Sequence, residues 1–137
     1  MKDAVGSSIL LTIILAFLAI FIIFTAFIMN YAACYRASNY VLTMIERTEG
    51  NIPVGTSSDN ANSNTIIGQL KARNYYNSLE IDCFENKNGA IYKVKTSVPF
   101  NLPLIGVTLN LYVKNETKTI YNTQCNSNLN ANFDKLY

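Results

Sequence analysis

Residues 7–35 read SSILLTIILAFLAIFIIFTAFIMNYAACY and run straight into RASNYVLTMIERTEG, with no Gly or Pro before Gly50. The first stretch asks for hydrocarbon and the second for water. Any fold must therefore carry one unbroken helix through two solvents. No charged residue occurs from position 4 to position 35, and residues 9–29 are interrupted only by Thr12 and Thr25. At about 1.5 Å per residue, a helix over those positions crosses the roughly 30 Å hydrocarbon core of a bilayer. A buried helix in a soluble protein is excluded by size, because the rest of a 137-residue chain is too small to enclose it.

Two other uses of such a run are weaker. A cleavable secretory signal has an apolar core of only about 7–15 residues. The YAAC at 31–34 has the layout of a lipoprotein cleavage box, but Tyr31 stands where an aliphatic residue belongs. Beyond the apolar run the helical pattern continues. Tyr31, Tyr35, Ser38, Leu42 and Ile45 recur at spacings of three and four, with Val41 beside them, which predicts an apolar stripe on a helix polar elsewhere. Gly50 and Pro53 supply the stop. The spacing predicts a rod of about 60 Å over residues 7–49, whose outer half needs a cover for its stripe.

Residues 51–64 are rich in Asn and Ser and read as a linker. TIIGQLKARNYY (65–76) predicts a short helix with Ile66, Ile67 and Leu70 on one side. Four strands follow: SLEIDCFE, AIYKVKTSV, IGVTLNLYV and ETKTIYNT, the first three alternating apolar and polar residues. ENKNG (85–89) is turn chemistry between the first two. Asn126, Asn128, Asn130 and Asn132 read as a polar tail. An antiparallel sheet with one apolar face needs a partner layer, and the amphipathic half-helix is the one available. VPFNLPLIG (98–106) carries Pro99 and Pro103 and reads as the connection between the second and third strands. Its Phe100, Leu102, Leu104 and Ile105 are costly to leave in water. They either fold back over the helix or form an apolar contact loop, which inserts at a membrane surface or docks on a neighbouring subunit.

Little chemistry is visible. His is absent, which removes the commonest general base and metal ligand. Glu80 and Asp82 share one strand face with Glu85 on the other, and they read as a solvated surface rather than a cation site. The three cysteines, Cys34, Cys83 and Cys125, lack metal-ligand spacing. Cys83 lies in the first strand and Cys125 just past the last, so a small exported domain has both the means and the reason to bridge them. Cys34 stays outside that pair. Residues 51–137 hold eight basic and six acidic residues without a basic block, so no nucleic-acid partner is expected. No cofactor, no metal and no enzymatic activity are expected either.

The fold class these readings give is α+β: a long N-terminal transmembrane helix whose outer half packs on a small antiparallel β-sheet. The organisation is 1–35 membrane-spanning helix, 36–50 exposed helical continuation, 51–64 linker, and 65–137 sheet domain with polar tail. This layout resembles the type IV pilin-like family, and in two places the TadE-like proteins of Flp/Tad pilus systems. KDAVGSSILL (2–11) is similar to their short basic leader, Gly, small residues and immediate helix. YKVKTSVPFNLPLIGVTLNLYVKNETKTIY (92–121) is similar to the strand, loop, strand and final strand near their C-termini. The resemblance implies leader cleavage between Gly6 and Ser7, and partners that are membrane lipid and other pilin-like subunits or pilus assembly proteins. The fifth residue after that bond is Leu11, where pilins usually carry Glu. Two functions are expected to compete: a membrane-anchored pilin-like or pseudopilin subunit, and a stationary single-pass exported binding or adhesion module. Either way the C-terminal domain is expected on the exported side.

Overall fold

The computed structural model describes residues 2–73, 75, 78–102, 106–126, 129 and 131–133. Its elements are α1 (Lys2–Arg47), α2 (Ile66–Ala72), β1 (Ser78–Asn86), β2 (Gly89–Leu102), β3 (Val107–Glu116), β4 (Ile120–Tyr121) and β5 (Ala131–Phe133). The protein is α+β, one long apolar N-terminal helix with a small antiparallel sheet.

α1 is continuous for 46 residues, a rod of about 69 Å. It stops where expected. The Gly50 amide donates to the Ile45 carbonyl at 2.9 Å, and Gly50 takes φ +74°, the left-handed closure that frees the chain to turn back. Glycine is required there twice over, because a Cβ would come within 2.7 Å of the Tyr92 hydroxyl.

The face that α1 turns to the sheet is Cys34, Ala37, Ser38, Val41 and Ile45, all buried. This corrects the expected stripe at its start, since Tyr31 and Tyr35 are 47% and 50% exposed. Small side chains explain the shift. Cys34, Ala37 and Ser38 let β2 approach until Thr96 Oγ1 donates to the Cys34 carbonyl at 3.0 Å. A count of large apolar residues cannot register a contact built on small ones. α2 joins the same core with Ile66, Ile67 and Leu70, and Tyr40 on α1 donates to Gln69 on α2.

β2 is the central strand, in the sheet order β3-β2-β1-β5, with β4 also pairing β2. β1 and β2 form a tight hairpin around Lys87 and Asn88, with Asn86 opposite Gly89. A side chain at Gly89 would overlap the Ile120 carbonyl of β4. Leu79 and Ile81 on β1 and Tyr92, Val94 and Thr96 on β2 face the helix and are buried.

Three sequence expectations are overturned. Residues 98–102 are not a connection but the end of β2, paired in register with β3 from Val98↔Leu111 to Leu102↔Val107. Pro99 lacks an amide donor and sits beyond the last described β1 pair, Ser78 opposite Ser97, with Asn110 of β3 across from it. The expected polar tail is part of the fold: Leu129 is fully buried in the core and β5 pairs Leu79 to Ile81 of β1. The expected linker 51–64 is tied down as well. The Ile66 and Ile67 amides donate to Pro53 and Val54, and Val54 is buried.

That loop is organised by Asp59. Its two carboxylate oxygens accept from Thr65 Oγ1 and Thr56 Oγ1, each at 2.8 Å, and Thr65 in turn caps α2 by accepting from the Gly68 amide. The Thr65 hydrogen bond, then that of Thr56, holds the Asp59 carboxyl below its ordinary pKa. The ionised form is therefore the one the fold favours. Its contribution is complete above the unfolded carboxyl pKa of about 3.9 and disappears as pH falls through the lower folded value. Hydrogen exchange at the Gly68 amide should lose protection on acidification below about pH 4. In Asp59→Asn that acid-dependent step should be absent.

Candidate functional site

The surface most unlike that of a water-soluble domain is the first half of α1. One helix, Gly6–Arg47, is long and apolar enough to cross a membrane, and its most apolar 18-residue window is 0% buried inside the protein. Ile9, Leu10, Phe17, Ile22 and Met29 all stand exposed. Three polar side chains within the run bond back to the helix itself. Thr12 donates to Ser8 O, Thr25 to Phe21 O and Asn30 Nδ2 to Ala26 O, at 2.9–3.0 Å. The two threonine hydroxyl protons would therefore not be stranded in lipid. Gly6 and Ser7, the expected cleavage point, lie within α1 and are exposed, and a Cβ on Gly6 would meet nothing.

The second component is the far end of the β2–β3 ribbon, which lies along α1. The Phe100 ring meets Phe27 edge-on, with centroids 6.1 Å apart and planes at 81°. Cys34 Sγ is 4.0 Å from the Leu111 carbonyl oxygen. Phe100 is buried, Leu102 half-buried, and Val107 and Leu109 exposed. With Ile20, Ile23, Phe24 and Phe27 of α1, residues Phe100, Leu102 and Leu109 enclose an open apolar groove of about 430 Å³. Leu104 and Ile105, the other members of the expected contact loop, lie outside the described residues.

The third component is the Cys83–Cys125 disulfide, with Cα atoms 5.8 Å apart. It fixes the chain after β4. Just beyond it, the Asn126 amide donates to Tyr92 Oη and Asn126 Nδ2 donates to the Gly50 carbonyl, both at 3.2 Å. The Cys125 amide donates to Glu85 at 2.9 Å. One short segment thus links the helix end, the central strand and the β1–β2 hairpin. Sequence reasoning placed the cysteines but missed Asn126, which looked like one more Asn in a polar tail.

The outer sheet face is a ladder of charge. Glu80 pairs with Lys95 at 2.6 Å, and Lys93 sits between Asp82 and Glu116 across the register. The Glu80 hydrogen bond and charge push the Lys95 pKa up. Both partners of the ion pair are at least one-third exposed, so it stabilises little. Among the described residues no group of three His, Cys, Asp or Glu could hold a metal ion. Glu80 is paired with Lys95, and Asp82 stands across the register from Lys93, whose ammonium lies over the Phe84 ring.

Compared with known proteins, the chain matches no family model, no curated protein and no solved structure.

Proposed function

We propose that this chain is a membrane-anchored pilin-like or pseudopilin subunit of a surface pilus or of its assembly system, with no catalytic activity. The observation that carries the reading is the division of α1. Its second half is clamped by the sheet through Cys34, Val41 and Ile45, while its first half is apolar and exposed on nearly every face. An exposed apolar rod rigidly attached to a polar head can sit in lipid or beside other such rods. Exchange between the two settings carries little hydrophobic difference, because lipid tails are as apolar as leucine. The layout also resembles that of the TadE-like proteins, with the sheet domain on the exported side.

Shear and surface labelling test this together. The pilus reading expects the chain to be released from intact cells by shear in a sedimentable form, with the exposed Lys93 and Lys114 reached by an impermeant amine reagent before lysis. Surface labelling with full retention in the membrane after shear identifies a stationary exported binding module instead. Labelling seen only after lysis overturns the orientation.

A further inference from the structure

The ribbon end places a limit on how deep α1 can sit in a membrane. Thr96 is level with Cys34, Phe100 with Phe27, and Leu102 shares its groove with Ile20. Six strand residues and fourteen helix residues each cover about 20 Å, so the ribbon follows the helix closely. If residues 9–29 filled the hydrocarbon, the ribbon end would lie about 13 Å beneath its surface.

Two features of the ribbon oppose that depth. Among the described residues, β3 pairs only with β2, and β1 stops opposite Ser97. Among the described residues, the paired segments 100–102 and 107–111 therefore have two open edges, each turning about half of its peptide groups outward. Every such group left unpaired in hydrocarbon costs several kcal/mol. In addition, Asn101, Thr108 and Asn110 are exposed on the ribbon, with Thr108 donating to Asn101 at its end. A lipid-embedded ribbon would have neither trait.

We propose that the hydrocarbon layer is spanned by residues 4–22 of α1, and that the ribbon end rests on the membrane surface as a stop that sets this depth. Those 19 positions are uncharged and measure about 28 Å, enough to span. The ribbon end meets the boundary with Leu102, Val107 and Leu109 beside Ile20, an apolar patch continuous with the exposed face of the helix. The boundary layer is wet enough to hydrate the open edges and apolar enough to receive those side chains. No charged residue occurs from 96 to 113, between Lys95 and Lys114, so the ribbon can approach the surface without stripping water from an ion. The lipid boundary is thus displaced from the 9–29 window that hydropathy alone selects.

This inference rests on the membrane-anchor reading and is tested separately from it. The chain contains no Trp, so single Trp variants report depth cleanly. Ile13→Trp, Ile20→Trp and Leu109→Trp all replace exposed residues. The full chain would be reconstituted in phosphatidylcholine–phosphatidylglycerol vesicles carrying spin-labelled lipids with the label at a shallow or a deep acyl position. The expected result is that Ile13→Trp is quenched most by the deep label, and Ile20→Trp and Leu109→Trp by the shallow one. That places the bilayer centre about 9 Å closer to the N-terminus than a 9–29 span would. Deepest quenching at Ile20→Trp overturns the proposal. So does a Leu109→Trp that neither lipid label nor acrylamide can reach, which would mean a second copy covers the patch. A chain that fails to float with the vesicles refutes the anchor itself.

Discussion

Replacing Cys83 and Cys125 together by Ser should lower the stability of the folded head by about 4 kcal/mol, the value for closing a loop of this length in the chain-entropy picture. The bridge spans 42 residues, and those residues include all of β2, β3 and β4. Without it the unfolded chain gains the freedom that the loop had removed. The folded state is affected too, because the segment after Cys125 carries Asn126 to Tyr92 and Gly50 and Leu129 into the core. For a head of this size the midpoint of thermal unfolding should fall by about 15 °C or more. Circular dichroism melts of the oxidised chain and the double variant in detergent measure it, with Cys34 retained in both. A difference under about 1 kcal/mol would mean that the bridge closes a loop already closed by other contacts.

The disulfide was legible in the sequence because it needs only the positions of two strands and a redox argument. The helix was legible for a similar reason: length and the absence of charge are properties of a single segment. What could not be read depends on pairs far apart in the chain. Cys34, Ala37 and Ser38 look unremarkable until β2 is laid across them, since small residues matter by what they allow near. Residues 98–102 looked like a loop because two prolines punctuate 99–103. Yet Pro99 pairs in register with Asn110 of β3, because a strand tolerates a proline wherever its missing amide is not needed by a neighbour. Leu129 and Asn126 were hidden by the asparagines around them, where composition pointed to solvent and one buried leucine outweighed it. The candidate surface divides in the same way. Its helical part is written in hydropathy, while its ribbon part exists through contacts between distant segments such as Phe100 with Phe27.

Tyr92 is the residue whose loss should be felt most widely. Among the described residues it is the largest of the fully buried side chains, and it stands where α1 ends, β2 begins its central run and the segment after the disulfide returns. Its amide donates to Thr117 Oγ1 and its carbonyl accepts from the Thr117 amide, each at 2.9 Å, so the backbone is anchored independently of the side chain. Tyr92→Ala should therefore leave the β2 register intact and act through the cavity, costing about 3–5 kcal/mol as for other buried aromatics. Tyr92→Phe keeps the ring and removes only the oxygen that accepts from the Asn126 amide, a loss of about 1 kcal/mol. The two variants separate packing from hydrogen bonding. A third comparison links them to the bridge: Asn126 is held beside Tyr92 by its bonded neighbour Cys125, so Tyr92→Phe should cost less when the disulfide is already gone. Denaturant unfolding of the four chains in that cycle gives the coupling directly. Additive losses would mean that Asn126 keeps its place without the bridge, and that the two features stabilise the head separately.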